Sequence, residues 1–439
     1  MSDASDVGDT DDGEGELSPA EAIRPLRARL GFPVPDDDSG WPAAVAELGA
    51  LFLRYDDPES AARANAVAAA PTDTEALYQL AWQLYELGLF DLGAGMLARA
   101  DALEPGDARI LGELSSCLES LGRNRDAAEV IARYPAAQID DPMLIYLLAF
   151  NRILAGQIED AREPVERLLD LGDALPDAVA PLPPLLVGML GRADALAAID
   201  ELGPESLRGW QAAINGDLLL HLSPFGFEEG MRGRYAWLGD SAKLIAGGLA
   251  QLERLFAGPV ERPQAVLALA DPTSRAMAIA AAQRLELPLS DFAEGDERPG
   301  LIPVYDLDGL QDPALWGRLK TCRPGQRLWV HGGCWTNPFP FAPDFTGLLF
   351  QARSGAFAPG MLASEEERQK PPPPVEEQAE RILAEEVDDE ALGLEPEQLT
   401  RIAEALATLE GPAAPGFRRD HGPRLRAREG SPVKSNRFA

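Results

Sequence analysis

The sequence predicts an α-helical repeat array, of the kind that winds into an α–α superhelix, followed by an α/β domain with a mainly parallel sheet and by disordered, charged tails. Three observations predict this arrangement. Apolar residues recur every 34 positions in the first half of the chain. Beyond about residue 205, short apolar runs alternate with helical stretches. The two ends carry opposite charge, with acids crowding the first seventeen residues and bases the last twenty-two.

The composition is that of a globular chain with an acidic surface. Its 439 residues exceed one typical core and suit two or three compact units, and 46% of them are apolar. Acidic residues number 72 against 39 basic ones, which gives a formal net charge of −33. Because phosphate groups are bound by clustered lysine and arginine, we expect no nucleic-acid partner and no membrane partner.

The cysteines and the first residues predict a reducing compartment. Cys117, Cys322 and Cys334 are an odd number of thiols, at spacings that suit neither a disulfide framework nor a zinc finger. The first seventeen residues contain seven acids and no base, the reverse of a signal peptide. No apolar run reaches the roughly 18 residues that a membrane span needs. We therefore expect a soluble, cytoplasmic protein.

The 34-residue period is clearest in segments 74–107, 108–141 and 142–175, which share one register. In the first segment it comprises Leu77, Leu80, Ala81, Leu84, Gly88, Leu97, Ala100 and Pro105. The equivalent residues of the next two segments are Leu111, Leu114, Ser115, Leu118, Gly122, Ala127 and Ile131, then Ile145, Leu148, Ala149, Gly156, Ala161, Val165 and Leu168. The large residues form one stripe of a first helix, and the glycine ends that helix.

This pattern resembles the tetratricopeptide repeat, a pair of antiparallel helices. Three residues depart from the family pattern: Gly93 replaces an alanine, Arg152 occupies an apolar position, and Pro164 lies inside a second helix. The resemblance implies a superhelical stack whose concave groove holds a peptide or a domain of a partner protein. The alternative is that the array only packs against the second half of its own chain.

Degenerate repeats are predicted on both sides of the three clear ones. Upstream, residues 41–53 and 59–70 form a helical pair. Downstream, residues 178–190 and 193–202 form another pair around Gly191. Terminal repeats are often atypical because they cap the stack. The array therefore covers residues 41–205, and residues 1–40 are predicted to be an acidic, largely disordered segment.

Residues 206–360 are predicted to form the α/β domain. Strands are expected at 217–222, 265–269, 301–305 and 327–331, and helices at 240–256, 274–285 and 313–319. This alternation implies right-handed crossovers and a mainly parallel sheet.

Ligands of such sheets bind beyond the carboxyl ends of the strands. The polar residues in those positions, with two arginines of a glycine-rich loop, are the candidate ligand-binding residues Ser223, Arg232, Arg234, Asp271, Ser274, Asp306 and His331. Guanidinium groups suit oxyanions, so the expected ligand is a phosphorylated or nucleotide-like small molecule. Equally, Glu228 and Glu229 could pair with the two arginines and rigidify the loop. No catalytic residue, metal ligand or cofactor is predicted.

Three local motifs have competing interpretations. Residues 331–335, His-Gly-Gly-Cys-Trp, resemble the oxyanion-hole turn of lipase-type hydrolases, but the G-x-S-x-G elbow of that family is absent. His331 and Cys334 offer one pair of metal ligands where zinc sites usually show two, so a packed histidine and a buried thiol are the better interpretation. Asp271 or Thr273 is expected to cap a helix, although the same helix start would suit an anion.

Residues 361–439 are predicted to be an acidic, proline-containing linker with a basic, disordered tail. Short helices are expected at 375–386 and 397–409, after the proline run 371–374. The sequence thus favours a cytoplasmic adaptor or scaffold protein that holds a protein partner in its repeat groove. The alternative is an enzyme or ligand-binding protein whose α/β domain binds the small molecule while the repeats recruit substrate.

Overall fold

The computed structural model describes residues 18–35, 40–139, 141–224, 231–310, 312–321, 323–358, 371–409, 423–425 and 432–433. The acidic stretch before residue 18, most of the linker at 361–374 and most of the basic tail lie outside these ranges. By internal contacts the chain divides into two compact units, residues 1–121 with 133–140, and residues 122–132 with 141–439.

Eighteen α-helices occur in the described residues. In chain order they are α1 (Pro19–Leu30), α2 (Trp41–Arg54), α3 (Pro58–Ala69), α4 (Thr74–Glu86), α5 (Phe90–Leu103), α6 (Ala108–Ser120), α7 (Asn124–Ala132), α8 (Pro135–Ile139), α9 (Pro142–Leu154), α10 (Ile158–Leu171), α11 (Pro183–Ala197), α12 (Leu207–Asn215), α13 (Ala242–Phe256), α14 (Pro272–Arg284), α15 (Pro313–Lys320), α16 (Val375–Ala384), α17 (Asp389–Leu392) and α18 (Pro396–Ala407). None of them combines the length and the apolar character that crossing a membrane requires.

The helical pairs follow the 34-residue register. Gly88, Gly122 and Gly156 come directly after the first helices of the three copies, with φ of +72°, +74° and +76°. Glycine is the residue that adopts this left-handed backbone at least cost, so the period in the sequence is a period of helix ends. The apolar repeat positions are buried, as Leu77 and Leu84 illustrate.

Two expectations for the helical region are corrected. Residues 19–30, placed in a disordered segment, form α1, which begins with a capping box between Ser18 and Glu21. The downstream pair around Gly191 is instead the single helix α11. A glycine inside a helix costs only about 1 kcal/mol relative to alanine, and burial of one face of α11 offsets that cost. Pro164 lies inside α10, as the repeat register predicted, and the helix continues past it.

Within the described residues the sheet has seven strands, all paired in parallel. They are β1 (Leu218–Leu219), β2 (Tyr235–Gly239), β3 (Val266–Ala268), β4 (Leu289–Asp291), β5 (Gly300–Asp306), β6 (Gln326–Cys334) and β7 (Phe345–Ser354). Their order is β1-β7-β6-β5-β3-β4, and β2 also pairs with β7, farther along that strand than β1. The four strands predicted from the sequence are confirmed as β1, β3, β5 and β6, with β1 shorter than expected.

Both faces of the sheet are covered. Successive residues of β3, β5 and β6 alternate between two apolar clusters, as Trp329 and Val330 do. The larger cluster also contains residues of α16 and α18, including Ile382 and Ile402. The folded domain therefore extends beyond residue 360, and the two helices expected in the linker belong to its core.

Candidate functional site

The most exposed aromatic side chain of the first unit lies on α4. Asp73 caps this helix, its Oδ1 accepting a hydrogen bond from the Ala76 backbone N–H at 3.1 Å. The buried residues of α4 are Leu77, Leu80, Ala81 and Leu84. By helical geometry the opposite side presents Glu75, Trp82 and Glu86, with Tyr78 and Tyr85 along its margin, and we call these five residues the α4 surface. Trp82 is 43% exposed.

Two arginines flank the α4 surface and interact with its rings. The Arg63 guanidinium of α3 lies 5.9 Å from the centre of the Trp82 ring, and its Nη2 is 2.9 Å from Glu59 Oε1. The Arg109 guanidinium of α6 lies 5.1 Å from the centre of the Tyr78 ring. Such contacts stabilise by about 0.5–1 kcal/mol at exposed sites. The rings are therefore held in place while Trp82 keeps much of its area open.

Carboxylates exceed arginines around these rings. Glu113 of α6 is half-buried, and burial together with the negative charge of Glu86 raises the pKa of Glu113. Burial and the charge of Glu113 also raise the pKa of Tyr78. The α4 surface thus combines exposed aromatic area with a negative potential.

A second candidate, in the other unit, is a polar network at the carboxyl ends of the strands. Asp240 follows β2, and its buried carboxylate accepts a hydrogen bond from Tyr305 Oη at 2.7 Å. His331 Nε2 lies 3.0 Å from Asp240 Oδ1. Burial favours the neutral form of Asp240, but the interactions with His331 and Tyr305 outweigh it and lower the pKa of Asp240.

Arg353 of β7 completes this network. Its Nη1 lies 3.6 Å from Asp240 Oδ2, its Nη2 donates to Asp306 Oδ2 at 2.7 Å, and its guanidinium lies 4.2 Å from the centre of the Tyr305 ring. The Tyr305 and His331 rings are stacked, with centres 5.6 Å apart. An Asp–His pair can orient a proton acceptor. Here the side chains of Asp240 and His331 are almost fully buried, so this pair has little access to solvent. The network instead connects the end of β2 to strands β5, β6 and β7.

The structure brings three of the predicted ligand-binding residues to this network. Asp306 and His331 are members of it, and Ser274 Oγ accepts a hydrogen bond from the Tyr305 backbone N–H at 2.9 Å. Burial raises the pKa of Asp306, although Arg353 acts in the opposite direction.

The other four predicted residues have separate roles. Asp271 caps α14, as the simpler interpretation predicted. Ser223 is buried and forms a hydrogen bond with Tyr235. Arg232 forms an ion pair with Glu205. Arg234 is buried, and its guanidinium donates to the carbonyls of Met231 and Val433 at 3.3 Å each.

The two arginines therefore do not converge with the network on one crevice in the described part of the chain. Glu228 and Glu229, the alternative partners of these arginines, lie outside the residues that the structure describes.

The structure also bears on the two interpretations of residues 331–335, an oxyanion-hole turn and a metal site. Residues 331–334 lie within β6 rather than in a turn after it, so the oxyanion-hole interpretation is wrong. Gly332 is needed for packing, since a Cβ there would lie 2.8 Å from Phe350 Cε1. The described residues contain no group of three or more histidine, cysteine or acidic side chains placed to hold a metal ion.

A cleft of about 350 Å³ opens beside the network, and sequence reasoning missed most of its lining. It is lined by Tyr235 and Trp237 of β2, by His221, and by Lys243 at the start of α13. His221 Nε2 lies 2.6 Å from Tyr235 Oη. Burial, followed by the charge of Arg208, lowers the pKa of His221 to about 3, so its ring is neutral at physiological pH.

The missed residues depend on strands that the sequence did not predict. Tyr235 and Trp237 lie on β2 and Arg353 lies on β7. The available signal was the stretch 235–239, where aromatic and apolar residues precede Asp240 and a helix start. No protein-family model and no curated protein matches this chain.

Proposed function

We propose that the helical pairs of residues 41–175 are tetratricopeptide repeats and that the protein is a cytoplasmic adaptor, which binds a peptide or domain of a partner through the α4 surface. One observation carries this proposal: the Trp82 ring is 43% exposed, with the Arg63 guanidinium 5.9 Å from its centre. Isolated exposed apolar residues are common, whereas tryptophan, tyrosine and arginine are enriched at protein interfaces, and all three types lie on or beside α4.

The energetics of protein interfaces favour this assignment. Tryptophan, tyrosine and arginine are the residues whose truncation most often costs 2 kcal/mol or more at an interface. All three types meet at the α4 surface, where Arg63 and Arg109 lie over Trp82 and Tyr78. Because these contacts exist without a partner, little side-chain entropy is left to lose on binding.

The test compares two exposed tryptophans of the full-length protein. Trp82→Ala removes the centre of the α4 surface, while Trp237→Ala removes a ring of similar exposure, 54%, from the second unit. Wild-type protein and both variants are used to capture proteins from a native lysate, with circular dichroism as the check on folding. Partners retained by wild type and Trp237→Ala, but lost by at least tenfold with Trp82→Ala, are the expected result. Equal retention by both variants contradicts the proposal.

A second candidate function rests on the cleft beside Trp237. Its position at the carboxyl ends of parallel strands is where α/β sheets bind small molecules, and Lys243 and the start of α13 favour an anionic group. We propose as the alternative that this cleft holds a planar, phosphorylated or nucleotide-like molecule. Native mass spectrometry of the purified protein is the measurement, and a bound small molecule lost on Trp237→Ala but kept on Trp82→Ala would favour this candidate.

A further inference from the structure

The charges around the α4 surface indicate the chemistry of its partner. We propose, on the basis of the protein-binding function above, that the α4 surface binds a protein segment in which a lysine or arginine lies within one helical turn of an apolar side chain. The apolar side chain packs on the Trp82 ring, and the cation lies beside Glu86 and Glu113.

The apolar part of the segment is selected by Trp82. This ring is 43% exposed, and Arg63 approaches it from α3 at 5.9 Å. A ring of this size buries 150 Å² or more when it is fully covered, which makes an apolar side chain the favourable occupant of its open area.

The cationic part is selected by carboxylates that lack a counter-ion. Arg109 already has carboxylate partners, since its Nη2 lies 3.4 Å from Glu75 and its Nε 3.8 Å from Asp107. Glu86 and Glu113, by contrast, form no hydrogen bond or ion pair with a side chain within the described residues, and no cation contributes to the raised pKa of Glu113.

Arg63 is likewise paired, with Glu59 at 2.9 Å. The residual charge on and beside the α4 surface is therefore negative, which attracts a cation and repels an acidic segment. Glu86 lies one helical turn from Trp82, so a single short segment can reach both.

The repulsion between the two free carboxylates adds to this preference. The negative charge of Glu86 contributes to the raised pKa of Glu113, behind the larger effect of burial. A cation placed beside both groups removes that repulsion. A neutral polar segment gains no such interaction, and a glutamate-bearing segment increases the repulsion.

The experiment uses three synthetic peptides that share one leucine-containing sequence and carry lysine, glutamine or glutamate at the same positions. Each is titrated into the full-length protein by isothermal calorimetry. The charge variant is Glu86→Gln with Glu113→Gln. Its matched control, Glu397→Gln with Glu404→Gln on α18, makes the same change in net charge on exposed positions of another helix.

The expected result is that wild type and the control bind the lysine peptide at least tenfold more tightly than the glutamine peptide, and that this preference falls below threefold in the Glu86→Gln, Glu113→Gln variant. Equal affinity for the glutamine or glutamate peptide, or a preference that survives the charge variant, overturns the inference. Trp82→Ala distinguishes docking at the α4 surface from the preference for a cationic segment. If it weakens every peptide, docking at the α4 surface stands even where the charge preference fails, and if it weakens none, the proposed function fails too.

Discussion

Replacing Ile402 with alanine is expected to destabilise the sheet domain, although this residue follows a proline-rich stretch that looks like a linker. Ile402 of α18 is 1% exposed and belongs to the same apolar cluster as Trp329 of β6 and Phe345 of β7. The helix itself packs against α11 and α13. Losing three buried carbon atoms at such a site removes transfer free energy and leaves a cavity.

The expected loss is about 2–5 kcal/mol, the range for isoleucine-to-alanine changes in a core, and roughly 4–20 °C in the melting temperature of a domain of about 200 residues. A helix that only docks loosely would instead show about 0.5 kcal/mol or less, as surface substitutions do. The two cases are therefore well separated.

The assay is hydrogen–deuterium exchange of peptides from β6 and β7 across a urea series. It reports on the sheet alone, which matters because a chain of two units need not unfold in one step. Glu404→Ala, on the exposed side of the same helix, is the matched control and should leave the urea midpoint within error of wild type. A midpoint for Ile402→Ala equal to that of Glu404→Ala would refute the assignment of α18 to the core.

Three further predictions concern single buried positions. Burial raises the pKa of Asp217 to about 6, above the ordinary value of an aspartate, about 4. Its contribution to stability is therefore complete below about pH 4 and is lost as the pH rises through about 6. Asp217→Asn should remove about 2–3 kcal/mol of this pH dependence from urea melts at pH 4 to 7, and parallel curves for variant and wild type would argue against it. Burial, with the charge of Glu113, raises the pKa of the Cys117 thiol to about 12, so little of the reactive thiolate forms at pH 8. Peptide-resolved mass spectrometry should therefore find that Cys117 is alkylated at least a hundredfold more slowly in native than in urea-unfolded protein. Equal alkylation rates in the two states would contradict this prediction. A Cβ on Gly347 would lie 2.2 Å from the His331 carbonyl oxygen, so Gly347→Ala should lower the free energy of unfolding by about 3 kcal/mol or more, as measured by calorimetry. Gly317→Ala, at a helical position with no atom near the new Cβ, should be neutral or stabilising. Similar melting temperatures for the two variants would contradict this prediction.

The helical half was largely predictable because its information is local. A first helix that presents Leu77, Leu80 and Leu84 on one stripe and ends at Gly88 needs only neighbours along the chain to be recognised. The same locality explains the error at Gly191. A glycine in the sequence reports a possible helix end, but only the packing of the surrounding turns decides whether the helix continues through it.

The strands of the core were predictable for a similar reason. Residues 301–304 and 328–330 are short apolar runs, typical of strands buried on both faces. The strand β7 was missed because Thr346, Gln351 and Arg353 interrupt its apolar pattern. Those polar side chains are accommodated by partners far along the chain, such as Asp217 for Thr346.

The α4 surface was predictable from the sequence only in part. Its residues fall in a correctly predicted helix, so the exposed side of α4 follows from the register of its buried leucines. What the register could not supply was the approach of Arg63 and Arg109 to the rings, which depends on how α3 and α6 lie beside α4.

The amino-acid pattern alone thus specified where helices and core strands form, because hydrophobic periodicity and helix ends are properties of short segments. Tertiary structure alone decided which polar groups meet. Asp240, Tyr305, His331 and Arg353 come from four places in the chain, and strand order rather than spacing brings them within hydrogen-bonding reach. The same holds for Ile402, whose apolar character was evident in the sequence, while its place in the core of the sheet depends on long-range packing that no local pattern encodes.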